Sequence, residues 1–408
     1  MNCRHCHTPL SHTFLDLGNA PPSNAYLTAE KLSAPELWFP LRVLFCEKCW
    51  LVQTEDFTER EALFTEDYGY FSSMSASWLA HAKVYANTVT DRFHLSASSK
   101  VVEVASNDGY LLRNFLAAGV PCLGVEPTHA CAEASRALGI VTVEEFFGVE
   151  TARKLRAQGH AADLTAANNV LAHVPDINDF VGGFAEILKD DGVSTFEFPH
   201  FLNLVQKNQF DTVYHEHFSY LSLTAVQAVF ETNGLSIFDV EEILTHGGSL
   251  RVYAQRTGTG KRVVSEAVTD LLAAEEAAGM QTVAFYEGFQ LHAEKVKDDF
   301  TAFLIDAKQA GKSVAAYGAA AKGNTLMNFA GVRPDLISFV VDRSPEKAGK
   351  YMPGSRMPIV DETNIRQAKP DYVVVLPWNI RDEIVGQLAY IREWGGRFVV
   401  AVPELEIF

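Results

Sequence analysis

From residue 101 onward, short apolar runs alternate with amphipathic stretches. Residues 101–105, 122–126, 164–168 and 193–198 read as strands, and 110–118 and 177–188 as helices between them. Such alternation predicts parallel strands joined by crossover helices. The apolar runs 236–241 and 250–255 break the rhythm, because no helix separates them and Gly247-Gly248 supplies a turn; they predict an antiparallel hairpin at the sheet edge. Residues 264–310 are rich in Ala, Glu and Lys at helical spacing and hold no proline, which predicts long helices connecting two bodies. A second α/β pattern follows, with strands expected at 313–317, 337–341, 372–376 and 397–402. There is no low-complexity tract and no short internal repeat.

Ahead of the first α/β block stand Cys3-Arg4-His5-Cys6 and Cys46-Glu47-Lys48-Cys49, which use four of the six cysteines. Two closely spaced thiolate pairs suit one tetrahedral Zn²⁺, and four protein ligands leave no position open for substrate, so the site is expected to be structural. His5 and His7 are near enough to replace a thiolate but are read as bystanders. Met1-Asn2-Cys3 opens without a basic, apolar leader, and no apolar run approaches the roughly 18 residues of a membrane span, so a cytoplasmic location with reduced thiols is expected. With 34 basic against 51 acidic residues the net charge is -17, which argues against nucleic acid and anionic membranes but permits a local basic pocket for a phosphorylated small molecule.

A chain of 408 residues exceeds one ordinary core. The expected division is a zinc-binding lobe over 1–66, an α/β domain over 67–260, a helical connector over 261–305 and a second Rossmann-like domain over 306–408.

The segment Val102-Glu103-Val104-Ala105-Ser106-Asn107-Asp108-Gly109 runs from a strand end through a small polar turn into a helix, the place where a doubly wound sheet binds nucleotides. It lacks G-x-G-x-x-G, so pyrophosphate is not supported. The next strand ends in Glu126-Pro127, an acid about 20 residues on that suits ribose hydroxyls. Singly, these residues could be a strand-end acid, a helix N-cap at Asp108 and a solvated strand terminus at Glu126. Together, at regular spacing, they suit S-adenosylmethionine better than NAD. Here the chain resembles class I S-adenosylmethionine-dependent methyltransferases, which usually carry glycines where Ala105 and Asn107 stand. The exit Asn168-Asn169-Val170-Leu171-Ala172-His173 resembles that family's segment lining the methyl end of the cofactor.

Tyr214-His215-Glu216-His217-Phe218-Ser219-Tyr220 gathers two imidazoles, a carboxylate and two phenols in seven positions. Histidine can take a proton near neutral pH, a carboxylate can orient it, and a phenol can donate to a developing oxyanion. Metal binding by H-x-H and an aromatic loop packed on the core are the competing readings.

In order along the whole chain, the two C-x-x-C pairs, the E-V-A-S-N-D-G turn, Y-H-E-H-F-S-Y, His246-Gly247-Gly248-Ser249-Leu250-Arg251 and Tyr317-Gly318-Ala319-Ala320-Ala321-Lys322-Gly323 resemble the nucleotide-sugar C-methyltransferases of deoxysugar pathways. The resemblance implies a monomer that methylates carbon 3 of a nucleoside-diphosphate 4-keto-6-deoxy hexose. It implies His217 as base with Glu216 and Tyr214 beside it, His173 as a second active-site histidine, and Tyr70 as a sugar contact. It further implies substrate contacts from His246, Tyr317, Gly318, Lys322, Asn324, Trp378 and Asn379. For several of these a plainer role is open: His173 packed in the core, the H-G-G-S segment as a tight turn, Gly318 for close packing, and Lys322 as a solvated helix residue. Three other functions compete: an O- or N-methyltransferase of another small metabolite, a zinc-ribbon binding protein with non-catalytic α/β domains, and an NAD-dependent epimerase or dehydrogenase.

Overall fold

The computed structural model describes residues 1–57 and 71–408, arranged around three sheets. The first is antiparallel and begins with β1 (His12–Ala20), β2 (Phe39–Phe45) and β3 (Val52–Thr54). The central sheet contains β4 (Val101–Val104), β5 (Cys122–Val125), β6 (Val141–Val143), β7 (Ala162–Asn168) and β8 (Leu188–Pro199). A two-residue strand, β9 (Ser219–Tyr220), then leaves that body to pair with β3 as the fourth strand of the first sheet. Strands β10 (Leu235–Ile243) and β11 (Ser249–Arg256) form the expected hairpin and complete the central order β10-β11-β8-β7-β4-β5-β6.

In this sheet β4 to β8 are mutually parallel while β11 is antiparallel to both neighbours. That is the class I methyltransferase architecture predicted from the sequence. All four residues of β4 are buried, as befits a central parallel strand covered on both faces. Chain direction across the sheet reverses between β4 and β7, so the crevice at their carboxyl ends is the switch point where such sheets hold ligands.

The third sheet runs β14 (Ile359–Val360), β13 (Val340–Val341), β12 (Val314–Tyr317), β15 (Tyr372–Val375), β16 (Arg397–Val400), β17 (Glu406–Ile407), with only the β16–β17 pair antiparallel. It is Rossmann-like, as expected. The connector comprises helices Glu266–Ala277, Val283–Tyr286 and Phe289–Gln309, interrupted by Gly279 and Gly288 in the left-handed region. Its last helix buries Phe289, Val296, Phe300 and Leu304 in one cluster with Phe14 and Phe45 of the first sheet and Val314 and Val340 of the third. Cys3, Cys46 and Cys49 instead share a cluster with Phe180, Phe184, Phe196 and Phe230 of the central domain. The N-terminal part thus packs on both α/β bodies. Among the described residues no helix is long and apolar enough to cross a membrane.

Candidate active site

The four predicted metal ligands converge: the sulfurs of Cys3, Cys6, Cys46 and Cys49 lie within 4.8 Å of one another. Each knuckle is closed by a backbone bond, His7 N–H to the Cys3 carbonyl at 3.0 Å and Trp50 N–H to the Cys46 carbonyl at 2.9 Å. His7 and Trp50 take left-handed backbone conformations that curl the chain around the sulfurs. The Gln53 amide donates to Cys3 Sγ at 3.3 Å. Four sulfurs at this spacing fit a structural zinc ion. His5 turns away to Asn178, at 2.9 Å, and His7 is exposed.

At the end of β4, Ala105 (φ 56°), Asn107 (φ 48°) and Gly109 (φ 79°) are left-handed. The glycines usual at the first two positions are missing, yet the backbone they serve is kept; an alanine there costs about 1–2 kcal/mol, which the surrounding bonds must offset. Glu126 supplies two of them, accepting the Asn107 N–H and the Thr128 N–H, each at 2.9 Å. It is therefore not a solvated terminus. Asp108 is not a helix N-cap, because the helix starts at Leu112 with Leu111 as an uncapped N-terminus. Instead Asn107 Oδ1 accepts the Ser72 N–H and Asp108 Oδ2 the Ser73 N–H, at 2.9 and 3.1 Å, pinning the chain that leads into the helix Ala76–Phe93.

Around this turn lie buried polar atoms with no protein partner, among them Ser106 Oγ, Asp108 Oδ1 and Asn169 Oδ1, while the Glu103 carboxyl and the Asn168 amide flank the Tyr110 hydroxyl. Burial holds the Glu103 carboxyl well above the usual carboxylate range. Unsatisfied buried groups of this kind are costly unless a ligand meets them. Acceptors clustered at the switch point fit the ammonium and hydroxyl donors of S-adenosylmethionine. Pro127, half-buried, follows Glu126 at the rim.

Five catalytic residues were expected; Tyr70 lies outside the described residues. The other four come together. His217 Nδ1 donates to the Thr212 carbonyl at 2.9 Å, which places the ring's lone pair on Nε2. Its ring meets Tyr214 at 4.0 Å and His173 at 4.7 Å. His173 Nδ1 likewise donates to the Glu216 carbonyl at 2.9 Å, and burial lowers its pKa to about 4, so it is neutral at physiological pH. Glu216 does not orient His217 through its carboxylate, contrary to the expectation: that group accepts from Asn24 Nδ2 at 3.1 Å, and burial raises its pKa to about 7. The orienting acceptor is the backbone of Thr212. His215 faces away, its Nε2 3.2 Å from the Pro40 carbonyl.

Of the substrate residues, Lys322, Trp378 and Asn379 meet. Lys322 Nζ donates to Asn379 Oδ1 at 2.7 Å and lies 4.5 Å above the Trp378 ring. Trp378 Nε1 donates to Asp211 Oδ2 at 2.8 Å, and burial pushes the Asp211 carboxyl up to about 6. The turn containing His246 abuts this group, since a Cβ on Gly247 would come 2.8 Å from the Trp378 ring; only the backbone of His246 is described. Three other residues have other partners. Tyr317 OH accepts from Gln387 at 2.7 Å. Gly318 (φ 92°) serves a close approach, for a Cβ would come 2.4 Å from Pro377. Asn324 is fully buried and donates to the Ser23 carbonyl at 2.6 Å.

Asn24, Thr54, Asp211 and Thr212 were not anticipated. Asp211 and Thr212 adjoin the Tyr214–Tyr220 motif and could have been included with it; Asn24 and Thr54 carry no local signal.

Family models match three successive stretches: a domain described as zinc binding over residues 3–64, a methyltransferase domain over 78–240, and a C-methyltransferase C-terminal domain over 244–403. Among curated proteins, the C-methyltransferase NovU of Streptomyces niveus is 33% identical over 402 residues, spanning 98% of this chain and 95% of that one. Among solved structures, the PH0226 protein of Pyrococcus horikoshii aligns with a TM-score of 0.39 at 13% identity over 50% of this chain and 100% of its own. Magnesium protoporphyrin IX methyltransferase of Synechocystis, bound to S-adenosylhomocysteine, gives 0.36 at 13% identity over 44% of this chain and 83% of its own.

Proposed function

Since this chain belongs to the C-methyltransferases, we propose that it methylates carbon 3 of a nucleoside-diphosphate-linked 4-keto-6-deoxy hexose, with His217 as general base. When bound, S-adenosylmethionine supplies a methyl group activated by its sulfonium. In this reading Glu103, Ala105, Asn107, Asp108, Glu126, Pro127, Asn168 and Asn169 hold it. His217 Nε2 takes the proton from the carbon beside the ketone and the electron pair of the broken C–H bond moves to the ketone oxygen; the ketone would then re-form as the enolate carbon bonds the methyl and the methyl–sulfur bond breaks, the sulfur keeping that pair as the thioether S-adenosylhomocysteine. Tyr214, Glu216, His173 and Tyr70 are the groups proposed to line the enolate; a carboxyl with a pKa near 7 can give a proton as readily as take one.

The observation carrying this reading is that His217 is fixed in a base-competent tautomer beside a second, neutral imidazole, next to the exit of β7. Lys322, Trp378 and Asn379 are proposed to meet the substrate's diphosphate or base. The domain division set out above belongs to the same proposal, with the cleft between the two α/β bodies.

The reading is tested by deuterium exchange at carbon 3 of thymidine-diphosphate 4-keto-6-deoxyglucose with S-adenosylhomocysteine present, and by the product's mass with S-adenosylmethionine. Exchange and a carbon-bound methyl are expected. An oxygen-bound methyl without exchange would instead establish the O-methyltransferase alternative.

Lys322→Ala is expected to raise KM for the sugar nucleotide about 10- to 100-fold with kcat nearly unchanged, the sign of lost ground-state binding. Initial rates against sugar-nucleotide concentration check this, and an unchanged KM removes Lys322 from the substrate site.

A further inference from the structure

Thr212, whose carbonyl sets the tautomer of His217, is bracketed by two tethers from the C-terminal domain. On one side Asp211, 1% exposed, receives the Trp378 indole N–H at 2.8 Å. On the other, Thr325 Oγ1 donates to the Val213 carbonyl at 2.7 Å, with Val213 fully buried and Thr325 2% exposed. Both tethers leave one end of the third sheet: Trp378 follows β15, and Thr325 lies in the helix Ala321–Phe329 that follows β12. The neighbouring Asn324 holds Ser23, next to the Asn24 that binds Glu216. Phe329 of the same helix packs edge-on against Phe210.

We infer that Thr325 is a positioning residue for the methyl transfer: through Val213 it holds the Thr212 carbonyl where it fixes the proton on His217 Nδ1 and keeps the lone pair on Nε2. The C-terminal domain is then part of the base's orientation and not only a holder of substrate. A backbone carbonyl orients an imidazole only if its peptide is itself fixed, and a segment of three residues between two buried cross-domain hydrogen bonds has little freedom to tilt. The inference rests on the reading of His217 as base.

The test uses the full-length, zinc-loaded protein as wild type, Thr325→Val, Thr325→Ser and His217→Asn. Nitrogen-15 histidine spectra, with the His217 signals identified by their loss in His217→Asn, are expected to show the Nδ1–H tautomer in wild type and Thr325→Ser. Thr325→Val keeps the shape but lacks the donor, and is expected to populate the other tautomer. On thymidine-diphosphate 4-keto-6-deoxyglucose, Thr325→Val is expected to lower kcat roughly 10- to 100-fold with KM within about twofold, and Thr325→Ser to restore most of it. An unchanged tautomer in Thr325→Val overturns the inference, whatever the substrate proves to be. Full turnover in His217→Asn overturns the base reading instead, and the spectra still decide whether Thr325 sets the ring.

Discussion

His217→Asn should lower turnover at least about a thousandfold while leaving S-adenosylmethionine affinity within about twofold. General-base catalysis contributes roughly 10²- to 10⁴-fold, and a proton beside a ketone sits at the demanding end of that range. Asparagine can still donate to the Thr212 carbonyl, so the loop keeps its anchor, but it has no basic nitrogen to offer. His173 stands 4.7 Å away, ring to ring, and could be thought a substitute. Its burial lowers its pKa to about 4, so although neutral at pH 7 it is a weak base. Single-turnover rates and calorimetric titration with S-adenosylmethionine separate chemistry from binding. Turnover within tenfold of wild type would remove His217 as the base. A collapse confined to His173→Asn would transfer the role to His173.

What the sequence made legible and what it hid differ by range of interaction. The paired cysteines, the strands β4, β5, β7 and β8 and the hairpin β10–β11 are each written within short windows, and each was found; the three-residue β6 was not. The turn after β4 lies at the switch point, where the sequence placed it, but its internal bonding was not foreseen. Nothing in Ala105 announces a left-handed backbone, and the bonds that tie Asn107 to Glu126 and Ser72 reach 19 and 35 residues away. The Tyr214–Tyr220 segment was visible by composition, yet the partner of each side chain was not. Glu216 beside His217 in sequence invites a carboxylate–imidazole pair, but successive residues in a turn point apart. Glu216 reaches Asn24, 192 residues earlier, while His217 reaches back five residues to Thr212. Asn324 was expected to be a substrate contact, two residues after Lys322. The helix instead turns it inward, where it meets Ser23. Contacts across hundreds of residues leave no periodic trace, and these contacts assemble the site.

The same long-range logic sets the second large effect. Removing zinc, by chelation or by Cys46→Ser with Cys49→Ser, is expected to abolish activity together with the cooperative fold, lowering the melting temperature by more than about 10 °C. Structural zinc sites contribute on the order of 10 kcal/mol or more to folding, comparable to the whole stability of a typical domain. Here the consequence extends past the knuckles. Arg4, between Cys3 and Cys6, donates from its backbone to Gln53 Oε1 at 2.8 Å and from its guanidinium to the Thr54 carbonyl at 3.0 Å and the Pro175 carbonyl at 3.3 Å. Thr54 ends β3, which pairs with β9 directly after Tyr214–Phe218, and its hydroxyl donates to the His217 carbonyl at 2.5 Å. Without the metal, four buried or half-buried thiols would face one another at 3.5 Å separations with no shared charge to hold them. Arg4 would lose its fixed position and β3 its anchor, and the strand pairing that carries His217 would loosen from the N-terminal side, just as Thr325 holds it from the C-terminal side. Metal analysis should give one zinc per chain, and its loss during titration with a chelator should run parallel to the loss of near-ultraviolet circular dichroism and of turnover. A metal-free protein that kept both its melting temperature and its activity would overturn the structural role of the site. One that stayed folded but lost turnover would show that the zinc knuckles act chiefly by holding Thr54 against the base.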